Sequence, residues 1–240
     1  MNPVFIPEPY KPVDFSDYLL DYSDPSGFVA YGANLLPDTL LNAYSMGLFP
    51  WYISGGAPCW YSPDPRLVLF PHKLRISKSM RNILKRSQYE VTCDRAFARV
   101  MMGCALTPRH GELDTWIDHQ FLAGYNRMHQ LGHAHSFETW KKDELVGGLY
   151  GIAIGKVFFG ESMFSKESNT SKIAFIHAVR FLLLMGFEMI DCQIKTDHLV
   201  SLGAEEISRE HFMIRLFNYT KQAGLPVRSW YPEFENIKNN

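Results

Sequence analysis

Residues 133–194 constrain the fold most, because strand-like and helix-like patterns follow one another there without a long break. An apolar segment at about 170–185 has polar residues before it and Gly186 after it, as a helix would. Short apolar or alternating runs surround that helix. The predicted strands are 133–141, 144–154, 156–164 and 187–194. This order predicts an α+β chain with a mixed sheet flanked by helices.

The rest of the chain suggests a smaller unit at the N-terminus. Residues 1–35 predict extended or loop structure, and a helix follows at about 37–46. Residues 47–65 are rich in Gly and Pro and predict a loop-rich region. The sequence then becomes basic and helical, so we expect a small N-terminal domain over 1–66 and a larger domain over 67–240.

Shorter elements are predicted from caps and periodicity. Thr115 is a candidate N-cap for a helix that ends at Gly132, with Asp118 three residues on as a weak capping box. The other predicted elements are helices at 77–87, about 95–106, about 196–202 and 208–221, and a strand at 89–92.

Charge is distributed unevenly along the chain. The formal net charge is −1, which taken alone argues against a nucleic-acid partner. Residues 66–99, however, hold nine basic and two acidic residues, a net charge of +7. Lys78, Arg81 and Lys85 fall on one helical stripe, with Arg86 beside them. The stripe is either a solvated helix face or a surface for a phosphate-bearing partner.

Several classes of protein are not expected. The longest apolar stretch, 173–190, is interrupted by His177, Arg180 and Glu188, so no membrane span is predicted. The first residues show no basic start followed by an apolar run, so no signal peptide is expected. The four cysteines have no C-x-x-C spacing, which favours the cytoplasm and no thiolate metal site.

Two polar pairs lie at the ends of predicted strands. Asp191 and Gln193 share one strand face by the period of two, and both need partners if the strand is buried. Since an amide does not titrate, such a pair would position a reactant rather than abstract a proton. Glu161 and Met163 share a face of another strand, which suits a substrate with apolar and cationic parts. In both cases a purely structural role, as a loop cap or a solvated strand end, stays open.

Other residues leave alternatives open. His133 and His135 share a face and could bind zinc with Glu138 or His129, although structural histidines are far commoner. Glycines 147, 148, 151 and 155 match no phosphate-binding loop and indicate bulges or close backbone approach. Trp51 and Trp116 are either core residues or surfaces on which a nucleic-acid base stacks.

Eight strings, in order from about Gly27 to about Tyr219, carry a family likeness. They are AYSMGLFPWY (43–52), WYSPDPR (60–66), TWI (115–117), LGHAHSFETW (131–140), ELVGGLYG (144–151), FFGESMFS (158–165), IDCQ (190–193) and SLGAEEISR (201–209). Together they resemble the leucyl/phenylalanyl-tRNA–protein transferase family.

The resemblance implies an activity and a fold. The family moves Leu or Phe, and less well Met, from aminoacyl-tRNA to the α-amine of proteins that begin with Arg or Lys. The product enters the N-degron degradation route. The implied fold is a small N-terminal domain joined to a C-terminal domain similar to the GNAT acetyltransferase fold. The resemblance also implies a monomer that uses neither metal nor cofactor.

The resemblance also implies roles for individual residues. Asp191 and Gln193 match the catalytic pair, and Glu161 matches an acidic residue of the acceptor site. Leu149, Met163 and Ile190 fall in the apolar side-chain pocket. The terminal adenosine would be held by Trp51 and Trp116. The residues that match the tRNA-binding cluster are Lys78, Arg81, Lys85 and Arg86. We expect Asp191 to hold the Gln193 side chain, and Asp191 and Glu161 together to attract the acceptor cation.

Some positions depart from the family pattern and bear on the Leu, Phe and Met preference. Tyr61 stands where many members have Trp, and Leu149 stands where Met is common. Phe175 and Ala178 change side-chain volumes near the pocket, and the segment between Cys104 and Trp116 is longer than expected.

Two rival functions fit the sequence less well. An acetyl-CoA-dependent N-acetyltransferase needs a Gly-bearing turn for pyrophosphate, and residues 165–172 contain no Gly. A tRNA-binding module without activity would explain the basic block but not the buried face of Asp191 and Gln193.

Overall fold

The computed structural model describes residues 3–86, 88–107 and 118–238, which build two sheets. The strands of the smaller sheet are β1 (Val4–Ile6), β2 (Phe28–Gly32), β3 (Phe49–Ser54) and β4 (Ala57–Tyr61), in the order β1-β2-β4-β3. β1 pairs with β2 in parallel, and the other pairs are antiparallel. Helix α1 (Pro37–Ser45) begins with Pro at its first turn, which confirms that prediction.

The N-terminal prediction for residues 47–65 is wrong, and the prediction of extended or loop structure for residues 1–35 did not locate the strands there. Residues 47–65 form a hairpin rather than a loop-rich region, because Gly55 and Gly56 adopt positive φ angles of 58° and 82° and close a tight turn between β3 and β4. Pro50 is tolerated because β3 is an edge strand. Strands β1 and β2 lie within the first 35 residues, where no strand was predicted.

The larger sheet is mixed, as predicted. Its strands are β5 (Arg66–Leu69), β6 (Glu90–Cys93), β7 (Ala134–Lys141), β8 (Glu144–Ile154), β9 (Val157–Ser165), β10 (Met189–Gln193) and β11 (Glu205–Ile207), in the order β11-β5-β10-β9-β8-β7-β6. Only β9 and β10 are parallel neighbours, and helix α5 (Thr170–Leu184) connects them. The α+β class is therefore confirmed. The short strands β5 and β11 were not predicted.

The remaining helices surround this sheet. They are α2 (Lys78–Leu84), α3 (Phe97–Ala105), α4 (His119–Gln130), α6 (Asp197–Ser201), α7 (Arg209–Thr220) and α8 (Tyr231–Lys238). Helix α4 begins at His119, where Asp118 caps the amides of Gln120 and Phe121, so the predicted start at Thr115 is wrong. Thr115 itself lies outside the described residues. In the described part of the chain, no helix has the length and apolar character needed to cross a membrane.

Apolar side chains form two clusters, one on each face of the larger sheet. One cluster holds α5 and α8 against the sheet. The other is shared with the smaller sheet, since Tyr44 of α1 packs against Phe159 of β9 with ring centroids 5.0 Å apart. The division into domains at 1–66 and 67–240 stays a prediction, although the gap between β4 and β5 falls at its boundary.

The glycines of β8 permit close packing, as predicted. A Cβ on Gly151 would collide with the carbonyl oxygen of Phe159 on the next strand. A Cβ on Gly147 would lie 2.6 Å from the Thr170 side chain at the start of α5. These small residues therefore let β9 and α5 approach β8 closely.

Candidate functional site

A cavity of about 910 Å³ lies among β3, β8, β9, β10, α5 and α6. Six of the site residues that the resemblance implies line it, namely Trp51, Leu149, Glu161, Met163, Ile190 and Gln193. One part of the wall is apolar and includes Phe158, Phe175, Ala178 and Leu182. The cavity therefore combines an apolar pocket with a few polar groups, as small-molecule sites do.

Strand β10 ends in a bulge that turns Gln193 into the cavity. The register with β5 shifts between Asp191 and Gln193, and Gln193 adopts a left-handed φ of 62°. Such a backbone costs about 1–3 kcal/mol and is typical of functional sites. The backbone N–H of Gln193 donates to Asp191 Oδ1 over 2.9 Å, which helps to hold this conformation.

Asp191 does not line the cavity, because it forms a buried ion pair with Arg66. Arg66 Nε donates to Oδ1 over 2.9 Å, and Nη2 donates to Oδ2 over 2.7 Å. Both side chains have no exposed surface. The guanidinium lies 4.8 Å from the Phe49 ring centroid and 4.7 Å from that of Phe212. One expectation is therefore wrong: Asp191 is not free to attract an acceptor cation. Arg66, one of the nine basic residues of 66–99, is buried and adds nothing to a basic surface.

Glu161 holds the Gln193 side chain, which corrects the expectation that Asp191 does so. Gln193 Nε2 donates to Glu161 Oε1 over 2.9 Å. Tyr125 donates its hydroxyl proton to Glu161 Oε2 over 2.9 Å, and the Tyr44 and Tyr125 hydroxyls lie 2.5 Å apart. Burial raises the pKa of Glu161 to about 7, although hydrogen bonds from Tyr44, Tyr125 and Gln193 oppose that rise. Asp191's negative charge adds to it.

Of the two candidate stacking residues, Trp51 lies at the cavity. Trp51 is 37% exposed at the cavity wall, and its ring meets Tyr61 edge-on at 4.9 Å between centroids. A half-exposed indole held by a neighbouring ring is a suitable platform for a stacked base. Trp116 and most of the segment from Cys104 to Trp116 lie outside the described residues.

The basic stripe is exposed as predicted. Ser77 caps α2 through Met80 N, and Met80 is buried against the core. Helix α2 ends at Leu84, with Lys85 as its C-cap and Arg86 just beyond it. The four exposed side chains, hereafter the basic stripe, are Lys78, Arg81, Lys85 and Arg86. Within the described ranges none of them forms an ion pair with an acidic residue, so all four are available to an anionic partner.

His135, one of the two candidate zinc ligands of the pair, has structural partners. His135 is buried, and its Nδ1 forms a hydrogen bond of 2.8 Å with Asp94 Oδ2. Its ring stacks on that of Trp230, with the centroids 3.5 Å apart. Glu138 accepts hydrogen bonds from Thr92 and Ser136. Among residues 3–86, 88–107 and 118–238 no group of three or more His, Cys, Asp or Glu side chains could hold a metal ion.

Sequence reasoning missed four residues near the site. The first is Arg66. A buried Asp191 requires a cationic partner, and the apolar run 67–70 that follows Arg66 was a signal for strand β5. Tyr44 and Tyr125 gave no local signal, because their helices meet Glu161 only in the folded chain. His198 of α6 also lines the cavity, burial lowers its pKa, and its Nε2 has no hydrogen-bond partner among the described residues.

Comparison with known proteins covers most of the chain. A family model described as leucyl/phenylalanyl-tRNA protein transferase matches residues 68–217, and one described as its N-terminal domain matches residues 33–64. A protein from Nitrosospira multiformis named leucyl/phenylalanyl-tRNA–protein transferase is 55% identical, over 80% of this chain and 82% of its own. A protein of the same name from Chromobacterium violaceum is 46% identical, over 96% of each chain.

Solved structures give only remote likenesses. A GCN5-related N-acetyltransferase from Kribbella flavida is similar with a TM-score of 0.37 and 10% identity, over 60% of this chain and 55% of its own. L-PGS from Bacillus licheniformis has a TM-score of 0.38 and 12% identity, over 72% of this chain and 57% of its own. Likenesses at this level support no inference about function.

Proposed function

The chain belongs to the leucyl/phenylalanyl-tRNA–protein transferase family, and from this premise we propose its substrates and the roles of its residues. It moves Leu or Phe, and less well Met, from aminoacyl-tRNA to the α-amine of proteins that begin with Arg or Lys. It works as a monomer in the cytoplasm, without metal or cofactor, and its products enter the N-degron degradation route. The observation that carries the proposal is the Gln193 amide, fixed by Glu161 at the wall of an apolar cavity.

The chemistry asks the protein mainly to position two reactants. The aminoacyl ester is already activated, and a peptide α-amine has a pKa of about 7.7–8.0, so a neutral amine is available near pH 7 without a strong base. The Gln193 amide oxygen accepts a hydrogen bond from the attacking amine. A new C–N bond forms and the ester C–O bond to the ribose breaks. The amine's proton passes to the leaving ribose oxygen through the neighbouring ribose hydroxyl or water.

The apolar wall of the cavity takes the side chain of the transferred residue. Leu149, Met163 and Ile190 contribute to it, and the terminal adenosine stacks on Trp51 and Trp116, with stacking on each ring worth about 1–3 kcal/mol. Glu161 supplies the negative charge that favours an acceptor with a cationic first side chain. Asp191 acts through Arg66 and the Gln193 backbone, not through contact with the acceptor.

Filling the apolar wall should change the aminoacyl preference. Ala178 is buried on α5 and lines the cavity, so Ala178→Leu removes space that Phe needs more than Leu does. Because a difference of one methylene is worth about 1–3 kcal/mol in an apolar pocket, the ratio of Phe to Leu transfer should fall about tenfold. Competition between the two aminoacyl-tRNAs measures this ratio. The same ratio in Leu184→Ala, at the exposed end of α5, should match the wild type. An unaltered ratio in Ala178→Leu would contradict the assignment.

Removing the basic stripe should weaken tRNA binding. With Lys78, Arg81, Lys85 and Arg86 changed to Ala, the KM for aminoacyl-tRNA should rise and its dependence on salt should flatten. Each lost phosphate contact reduces the slope of log affinity against log salt by about 0.7–0.9. The control variant removes four exposed lysines elsewhere, namely Lys11, Lys142, Lys166 and Lys221. If both variants show the same salt slope, the stripe is only a solvated face.

One assay separates the proposed function from its rivals. Radiolabelled Phe-tRNA or Leu-tRNA is incubated with a peptide that begins with Arg, with a second peptide that begins with Ala, and with labelled acetyl-CoA in place of the tRNA. Label from tRNA on the Arg peptide alone supports the proposal. Label from acetyl-CoA would indicate an N-acetyltransferase, and tRNA binding without transfer would indicate a binding module.

A further inference from the structure

We propose that Tyr125 and Tyr44 are positioning residues that hold Glu161 as an ionised carboxylate, and that this carboxylate turns the Gln193 amide oxygen toward the attacking amine. The inference rests on the role of Gln193 in the proposed function. It assigns Glu161 a second task besides attracting the acceptor, and it assigns two tyrosines to a reaction in which sequence motifs gave them none.

The orientation of an amide depends on what its neighbour can accept. An ionised carboxylate only accepts hydrogen bonds, so it selects the NH2 end of Gln193. Gln193 Nε2 indeed lies 2.9 Å from Glu161 Oε1, which leaves Oε1 of Gln193 as the end that can accept from an amine. A protonated Glu161 could instead donate to that oxygen. The amide would then turn round and present a donor to the amine, which cannot serve the reaction.

The two tyrosines supply the hydrogen bonds that an ionised Glu161 needs. Tyr125 and Tyr44 have no exposed surface, and burial raises the pKa of each phenol, so both stay neutral donors. Because the Tyr125 proton points to Glu161 Oε2, the Tyr44 hydroxyl donates to the Tyr125 oxygen 2.5 Å away. Tyr125 therefore donates to Glu161 directly, and the Tyr44 hydroxyl supports both Tyr125 and Glu161. Hydrogen bonds to charged groups are stronger than those between neutral groups, so these donors oppose the cost of burying the Glu161 carboxylate.

Among the residues that the structure describes, few other charged or titratable groups face Glu161. Asp191 on β10 carries a negative charge that disfavours ionisation of Glu161, but Arg66 on β5 pairs with it. Tyr150 on β8 meets the Tyr125 ring edge-on at 5.7 Å. Loss of a tyrosine donor should therefore raise the pKa of Glu161, and the active ionised form should disappear at a higher pH.

The first test is Tyr125→Phe, compared with the wild type at each pH from 6 to 8.5 at saturating aminoacyl-tRNA. The ratio of the two transfer rates cancels the titration of the acceptor amine, which is common to both enzymes. We expect this ratio to be about sixfold lower at pH 6.5 than at pH 8.5, because one lost hydrogen bond shifts the pKa by about one unit. Tyr44→Phe should shift the ratio in the same direction, because the Tyr44 hydroxyl also lowers the pKa of Glu161. A ratio that is constant with pH in both variants would overturn the proposal.

The matched control is Tyr89→Phe. Tyr89 donates to Glu167, away from the cavity, so its ratio to the wild type should not vary with pH. If Tyr89→Phe shows the same pH dependence as Tyr125→Phe, the effect does not come from Glu161 and the proposal is overturned.

The second test needs no transfer activity. Infrared difference spectra between the wild type and Glu161→Gln isolate the carboxyl band of Glu161, and its titration midpoint is measured in the substrate-free protein. We expect a midpoint near the pKa of about 7 given above, and a higher one in Tyr125→Phe. An unshifted midpoint would overturn the proposal even in an active enzyme. A shifted midpoint in a protein that transfers no aminoacyl group would support the tyrosines' hold on Glu161 and overturn the function proposed above.

Discussion

Gln193→Ala should lower kcat for aminoacyl transfer by about 10²-fold or more, while the affinity for tRNA stays close to that of the wild type. The amide is held at the cavity wall by Glu161, and correct placement of a reacting group contributes rate enhancements of at least this size. Tyr125 and Asp191 cannot replace it, because their hydrogen bonds are already made inside the protein. The measurements are single-turnover transfer from saturating Phe-tRNA and filter binding of uncharged tRNA.

A second substitution controls for backbone strain. Gln193 has a left-handed φ of 62°, so Ala at this position is strained, whereas Gly adopts such a conformation without cost. Gln193→Gly should therefore be as inactive as Gln193→Ala and better folded. A Gly variant that transfers at the rate of the wild type would mean that the side chain has no part in the reaction.

Arg66→Ala should lower the free energy of unfolding by about 3–5 kcal/mol, because it leaves the Asp191 carboxylate buried without a cation. The loss also includes the packing of the guanidinium between Phe49 and Phe212. Asp191 would then no longer be fixed under the Gln193 backbone N–H, so we expect transfer to fall as well. Urea unfolding gives the free energy, provided that the transition is two-state.

The pairing itself is tested by two further variants. Arg66→Met combined with Asp191→Asn removes both charges and keeps most of the volume, so it should be more stable than Arg66→Ala. Arg66→Lys keeps the charge but loses the two-point contact, so its stability should fall between those of the wild type and Arg66→Ala. A loss of less than about 1 kcal/mol in Arg66→Ala would show that Asp191 finds another partner.

The sequence predicted those parts of the fold that local patterns determine. Helix α5 is specified by an apolar run between a polar start and Gly186, and strand β10 by the second apolar run after Gly186. Both were found where expected. Helix α1 was given by Pro37. The hairpin of β3 and β4 was missed, since its many Gly and Pro residues indicate loops unless the pairing of both strands is known.

The candidate site divides in the same way. Glu161, Gln193 and the apolar pocket residues that the resemblance implies lie on strands that the sequence pattern predicted, and all of them line the cavity. The contacts that support the site join residues that are distant in the chain. Arg66 is 125 residues from Asp191, and Tyr44 is 81 residues from Tyr125. Such pairings depend on the topology of the sheet and on helix packing, which a period of two or 3.6 does not encode. The bulge at Gln193 also broke the strand alternation that the sequence analysis assumed.

The apolar cluster shared by the two sheets has a consequence for how such genes can recombine. Tyr44 and Trp51 belong to the first 66 residues, yet Tyr44 reaches Glu161 through Tyr125 and Trp51 lines the cavity. A crossover between β4 and β5 would exchange the whole smaller sheet. It would also replace Tyr44, which hydrogen-bonds Tyr125, and Trp51, which forms part of the cavity wall. Residues in contact are energetically coupled, so chimaeras of distant relatives joined there inherit mismatched partners. Substitutions on the two sides of this junction should therefore be coupled in their effects on stability.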